Sequence, residues 1–215
     1  MRTLLLLTVG LSVLLGALAQ QPHPCKAPPY LEGKLFVLFP EGHTTLFEQF
    51  AYDAVEERIR VVASIKHDSQ EMIEDRLLFF RERFYYEIHY HNKSCVKTPF
   101  DAQFNPIQIP HDAHHQAQFV LGSLSAPAEG LLVNSWVGYI PETKANYSMT
   151  FTEFGCIPIT ILTTDEKKDH FFSSFFDLVV GLENPDVFIP PSFCTSAKVV
   201  ERKDGKVADF FSALR

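Results

Sequence analysis

The stretch from Glu82 to Cys95, ERFYYEIHYHNKSC, alternates with a period of two. Phe84, Tyr86, Ile88 and Tyr90 fall on one side of an extended chain, and Tyr85, Glu87, His89 and His91 on the other. That period belongs to a β-strand, whose successive side chains point to opposite faces of a sheet. The pattern recurs along the chain. GKLFVLF (33–39) is a continuous apolar run suited to a strand covered on both faces. FEQFAYD and RIRVVASIK flank Ala54–Glu57 and read as a hairpin. LLFFRERFYYEIHYH is one long strand, or two with a turn near Arg81-Glu82-Arg83. Residues 117–122, 131–139, 147–154 and 157–163 read as further strands, punctuated by Gly130 and by Pro141-Glu142-Thr143. Residues 171–181 carry both a strand alternation and a helical stripe. Their aromatic and β-branched content favours a strand. Thr98–Pro110 holds three prolines and reads as a loop, Glu71–Leu78 as a short helical turn, and Ala208–Leu214 as a terminal helix.

So many short strands separated by turn residues predict an all-β, mostly antiparallel fold, a sandwich or partly closed barrel. With 20 phenylalanines and apolar bulk on both parities of several strands, the chain is expected either to pack a thick core or to enclose a second apolar concavity. No internal repeat or low-complexity tract divides it. A single domain is expected over residues 20–215, with a polar tail from about Ala197.

The first 19 residues read differently. Arg2 is followed by an apolar run, Leu4–Leu15, and by Ala17-Leu18-Ala19. A basic start, an apolar stretch too short to span a bilayer and a small-x-small site make a signal peptide cut after Ala19. The four cysteines Cys25, Cys95, Cys156 and Cys194 then lie in an oxidising compartment, where two disulfides are expected. Their spacing leaves three pairings open and includes no CxxC metal or redox motif. Asn92-Lys93-Ser94 and Asn146-Tyr147-Ser148 are glycosylation sequons, which place Asn92 and Asn146 on the solvent side.

Other chemistry finds little footing. There is no G-x-S-x-G elbow, no H-E-x-x-H and no phosphate-binding glycine loop, so no enzyme is expected. A net charge of -7 without a basic run disfavours nucleic acid as a partner. His111, His114 and His115 form the sharpest metal-like cluster, but they follow Pro110 and enter a strand, where helical ligand spacing is lost. If all nine histidines were charged, as ordinary histidines are well below pH 6.5, the formal charge would pass from -7 to +2. Repulsion from anionic membranes would then fade.

Three motifs in order carry a resemblance. Pro24-Cys25 leads through Ala27-Pro28 to Glu32-Gly33. Tyr52-Asp53 is followed by Arg58-Ile59-Arg60. Near the end stand Phe175-Phe176-Asp177, Gly181, Pro185, Phe188, Pro190-Pro191 and Cys194. With these the chain resembles the ependymins and, more closely, the ependymin-related proteins of vertebrates, up to about Ala197. Asn184 stands where that family commonly has aspartate. The resemblance implies a secreted or lysosomal glycoprotein, often homodimeric. Its implied fold is two curved sheets around a hydrophobic pocket, as in bacterial lipoprotein carriers. It implies the pairing Cys25–Cys156 and Cys95–Cys194, the binding of lipids or other hydrophobic molecules, and an association with calcium and with cell–matrix contact. The calcium ligands are not named by the sequence, which lacks the D-x-D-x-D-G loop, and no other cofactor is required.

On this reading the face of Phe84, Tyr86, Ile88 and Tyr90 looks into an apolar interior, part core and part pocket. The pocket lining is expected among Val37, Phe79, Tyr86, Ile88, Trp136, Phe151 and Phe176, each of which also suits a plain core. The competing expectation is a matrix or adhesion glycoprotein acting through its surface and glycans. A small remainder goes to an unrecognised hydrolase.

Overall fold

The computed structural model of the chain describes residues 22–39, 44–67, 70–141, 144–164 and 170–201. The expected signal peptide and terminal helix lie outside these residues. The described strands are β1 (Tyr30–Phe39), β2 (Thr44–Asp53), β3 (Arg58–His67), β4 (Gln70–Phe79), β5 (Phe84–His89), β6 (Ser94–Pro99), β7 (His114–Gly122), β8 (Gly130–Ile140), β9 (Ala145–Thr152), β10 (Pro158–Thr164), β11 (His170–Val180) and the short β12 (Lys198–Val199). Two 3₁₀ turns, Pro185–Phe188 and Ser192–Ser196, precede β12.

The expected all-β, mostly antiparallel class holds. The two expected sheets are arms of one hydrogen-bonded sheet in the order β12-β6-β5-β4-β3-β2-β1-β11-β10-β9-β8-β7. One arm is the meander β1–β6 and the other the meander β7–β11. They join where β1 pairs antiparallel with β11. Only β12 runs parallel to its neighbour, β6. Strands adjacent in sequence pair antiparallel within each meander. The loops after β2, β4 and β5 close on non-glycine residues in the left-handed region: Glu57 (φ 54°), Arg83 (φ 58°) and Lys93 (φ 49°).

Two expectations of local structure are corrected. Glu71–Leu78 is strand β4, not a helical turn. It pairs with β3 from Arg58↔Phe79 to His67↔Gln70, and Leu77 and Leu78 are both fully buried on opposite faces. Ser94–Pro99 is strand β6, so the loop begins at Phe100.

One face of both arms supplies the main core. Leu31, Leu35, Tyr52, Ile59, Leu78 and Tyr85 come from the first arm, and Trp136, Met149, Phe151, Ile161 and Phe175 from the second. Among the described residues no helix layer covers this face, so the sheet curls over it and the connection between β6 and β7 fills what is left. Phe100, Ile107 and Ile109 of that connection enter the core. Phe100 and Phe104 meet Phe80 edge-on at 5.2 and 5.3 Å, and Phe104 stacks on Tyr52 at 5.7 Å. Aromatic pairs of this kind are worth about 0.5–1.5 kcal/mol each beyond the area they bury.

The N-terminal segment runs beside the same loop. The Ala27 amide donates to the Ile107 carbonyl and the Ile109 amide to the Cys25 carbonyl, each at 2.9 Å. Cys25 is bonded in turn to Cys156 in the β9–β10 turn, with Cα atoms 6.1 Å apart. One end of the curled sheet is thereby closed.

The Tyr52-Asp53…Arg58-Ile59-Arg60 motif is part of this closure. The Tyr52 hydroxyl accepts from the buried Ile107 amide at 3.1 Å. One oxygen of Asp53 accepts from the amides of Val55 and Glu56, which sets the hairpin turn, and the other pairs with Arg58 at 2.9 Å. Gly33, at a bulge between β1 and β11, has Leu178 where a Cβ would stand. Asn184 caps the first 3₁₀ turn by accepting from the Asp186 amide at 3.0 Å, a role that aspartate fills equally well.

Replacing Tyr52 with Phe strands the Ile107 amide. We expect a loss of about 1–3 kcal/mol, the cost of a buried donor without its acceptor, measured as a lower urea midpoint at unchanged slope. Burial holds the Tyr52 pKa above its ordinary value; the Ile107 hydrogen bond pulls it down and the charge of Asp53 adds to the rise. The folded state thus prefers the neutral phenol. That contribution is complete below the ordinary tyrosine value of 10.0 and is lost as pH climbs through the raised one. Tyr52→Phe is therefore expected to lose less stability in strong alkali than the wild type does.

Candidate functional site

Cross-strand register shows how the inner face is laid out. One row runs in register through eight strands: Trp136, Met149, Ile161, Ser173, Val37, Leu46, Ile65 and Met72. It is buried from Trp136 to Leu46. Ile65 is half-buried, and Met72 stands 54% exposed. An apolar row that leaves the core in this way forms a hydrophobic mouth on β3–β4.

Beside the mouth lies a charged belt. The next row toward the closed end is Phe175, Leu35, Glu48, Ala63 and Glu74, and the one after it includes Phe50, Val61, Arg76 and Glu87. Arg76 pairs with Glu74, and its Nε lies 3.9 Å from Glu87. Glu48 and Arg76 are buried. Glu74 and Glu87 are half-buried, so three carboxylates and one guanidinium gather within a few residues of the exposed apolar rim. In the second arm, Trp136 Nε1 and the Tyr147 hydroxyl are buried without a hydrogen-bond partner among the described residues.

The seven expected pocket residues are not brought into one cavity. Val37, Trp136 and Phe151 are fully buried in the main core. Phe79, Tyr86 and Ile88 face the opposite side of the sheet. There they pack with Leu77, Phe188 and the Cys95–Cys194 bridge in a second cluster. Phe176 is half-buried on that outer side, across from Lys34. The physical reason is the parity of β5. Tyr85 and Leu78 are cross-strand partners facing the main core, so Phe84, Tyr86 and Ile88 must face outward. Lys97 covers Phe84 with its ammonium 3.7 Å from the ring centre. Tyr90, beyond the strand, is 55% exposed.

The C-terminal segment clamps this outer face. Arg58 lies 4.4 Å over the Phe188 ring. Arg60 makes two bonds to Asp75, at 2.7 and 3.1 Å, and donates to the Val187 carbonyl and the Tyr90 hydroxyl at 2.8 Å. The Asp75 hydrogen bonds hold the Arg60 guanidinium above its ordinary pKa against the opposing effect of burial. An open groove of about 400 Å³ remains between β1–β3 and this segment, rimmed by Glu32, Arg60, Glu183 and Asp186. Its edge is polar, and its arginine is already engaged.

Asn92 and Asn146 are both exposed, on a hairpin turn and on β9. His111 and His114 are exposed as well. His115 stands edge-on to Trp136 at 5.1 Å, with Nε2 3.2 Å from Asn134 Oδ1. The strand separates His114 from His115, so the cluster does not converge. Among the described residues no group of three or more His, Cys, Asp or Glu is placed to hold a metal ion. The implied calcium therefore finds no such set of side chains there.

Sequence reasoning missed the charged belt and the mouth. Glu48 was the available signal, since it falls in phase with Leu46 and Phe50 on an otherwise apolar face.

Comparison with known proteins gives a consistent picture. The family model described as Ependymin matches residues 68–194. The chain is 33% identical to Ependymin-2 of Carassius auratus over 206 residues, 95% of either chain. It is 32% identical to Ependymin-1 of Oncorhynchus mykiss, covering 89% of this chain and 86% of that one. With mammalian ependymin-related protein 1 of Mus musculus the identity is 28%, over 86% and 82%. An uncharacterized conserved protein from Thermus thermophilus superposes with a TM-score of 0.52 at 12% identity, over 84% of this chain and 91% of that one, a similarity of fold.

Cys95→Ser removes the bridge that fixes the C-terminal segment to β6. We expect a stability loss of about 2–5 kcal/mol and reduced yield in the culture medium of animal cells. Limited proteolysis should then cut first between Leu182 and Ala197.

Proposed function

Because the chain belongs to the ependymin family, we propose that it is a secreted or lysosomal glycoprotein that binds lipids or other hydrophobic molecules on the inner face of its curled sheet. The observation that carries this reading is the inner-face row that stays buried as far as Leu46 and emerges at Ile65 and Met72. An acyl chain laid along that row would cover the apolar side chains that the fold leaves in water. The charged belt beside it would meet the polar end of the ligand. The unpartnered Trp136 Nε1 at the far end of the row is a further donor on the same face. Binding, with no catalytic step, is the proposed role. Two disulfides suit an oxidising compartment, and anionic membranes are the proposed source of ligand.

The test uses a fluorescent fatty acid and the intact, disulfide-bonded protein. Met72→Arg is expected to weaken binding at least tenfold. Its neighbour Ile73 is 74% exposed but points to the outer face, so Ile73→Arg is expected to leave binding unchanged. Equal binding by all three proteins would remove the inner face as the site.

A second reading, action through the surface as a matrix or adhesion glycoprotein, is favoured by one observation. On the outer face Phe36 and Phe47 are cross-strand partners with rings 5.0 Å apart, Phe47 is 56% exposed, and exposed Ile73 lies two strands along the same row, beyond Ser64. The proposed homodimer would use this apolar surface. Phe47→Glu is then expected to shift the sedimentation coefficient from that of a dimer to that of a monomer, with fatty-acid binding intact.

A further inference from the structure

Strands β7 and β8 do not end together. Their pairing stops with His114 opposite Val137, whereas β8 continues to Ile140 and stays paired with β9 as far as Ile140↔Ala145. At this step in the sheet edge lies an open groove of about 530 Å³. Asn146, the asparagine of the second sequon, lines it. So does Tyr139, which sits directly opposite Asn146 in the β8–β9 register and is 47% exposed. Directly opposed side chains on one face have Cβ atoms about 4.5–5.5 Å apart. Anything bonded to the Asn146 amide nitrogen therefore starts beside the Tyr139 ring.

Tyr147, next to Asn146 on β9, faces the other side of the sheet and packs in the main core. Tyr147 folds its ring across its own cross-strand partner, Gly138, where a Cβ would overlap the Tyr147 hydroxyl. That hydroxyl is buried and has no hydrogen-bond partner among the described residues. Burial raises its pKa and the charge of Asp112 adds to the effect, which keeps the hydroxyl neutral. Asp112 and His114 line the groove as well. An exposed aromatic ring in a groove that also carries a carboxylate, Asp112, suits a sugar, which has an apolar C–H face and a hydroxylated rim. The tether is in place as well, since the asparagine belongs to the groove itself.

We propose that the first N-acetylglucosamine of a glycan on Asn146 seats in this groove, with its C–H face on Tyr139. The proposal rests on the reading of this chain as a glycoprotein. It makes the sugar a structural part of the β8–β9 edge. The glycan on Asn92, at the tip of a hairpin turn with no opposing strand residue, has no such seat.

The experiment measures thermal unfolding of protein secreted by animal cells, with occupancy of each asparagine read by peptide mass spectrometry. Trimming with an endoglycosidase that leaves one sugar is expected to keep the Tm. Asn146→Gln is expected to lower it by about 2–4 °C, the scale of one modest contact in a chain of this size. Asn92→Gln should leave it unchanged. Tyr139→Ala should cost a similar drop in glycosylated protein and nothing in the Asn146→Gln background. An occupied Asn146 with equal effects of Tyr139→Ala in both backgrounds would overturn the seat while leaving the glycoprotein reading in place. An unoccupied Asn146 would overturn both at this residue.

Discussion

A mostly antiparallel sheet whose main apolar face meets no helical layer among the described residues must cover that face with itself. Every larger feature of this structure follows from that constraint. The sheet curls until residues as far apart as Tyr85 and Trp136 share one core. At one end the curl alone is insufficient, and the β6–β7 connection crosses the interior to supply Phe100, Phe104, Ile107 and Ile109. A loop buried in this way needs partners for its backbone. The Tyr52 hydroxyl, the Cys25 carbonyl and the Ala27 amide provide them, and the Cys25–Cys156 bridge ties the arrangement to the second arm. The first two motifs are thus largely devices for closing one end of a curled sheet, and the third clamps its outer face.

Toward the other end the described inner face is less completely covered, with Ile65 half-buried and Met72 exposed. Core-filling side chains are concentrated where the loop enters. Toward the opposite rim the inner face of the first arm turns to carboxylates, an arginine, an alanine and finally an exposed methionine. A face finished purely for stability would be expected to continue its apolar packing. Glu48 in particular is carried to the interior on a strand whose neighbours Leu46 and Phe50 are core residues. The belt is costly in solvation, and a site for the polar end of an apolar ligand gives it a use.

Period two was enough to read the class and most strands, because each strand of this sheet has at least one strongly apolar parity. It could not say which parity faces which side. The run from Glu82 to His91 shows why. Both parities of β5 are aromatic, and both are covered, one by the crossing loop and one by Phe188 and the Cys95–Cys194 segment. The segments that decide the matter are distant in sequence and carry no periodic signal. The Arg81–Arg83 turn was ambiguous for a related reason, since its left-handed residue is an arginine rather than a glycine. The two disulfides, implied by resemblance, stand as implied. The expected pocket residues were legible as large and apolar, but apolar size alone does not separate a core residue from a rim residue.

The central claim is that an apolar ligand lies along the inner-face row and enters past β3–β4. A fatty acid carrying a photoactivatable group at its chain end, irradiated in complex with the glycosylated, disulfide-bonded protein and mapped by peptide mass spectrometry, tests it directly. The account predicts labels on Ile65, Met72 and neighbouring inner-face residues of β2–β4, suppressed by excess unlabelled fatty acid. Labels confined to outer-face residues such as Phe36, Phe47 or Ile73, or labelling that excess ligand fails to suppress, would contradict it.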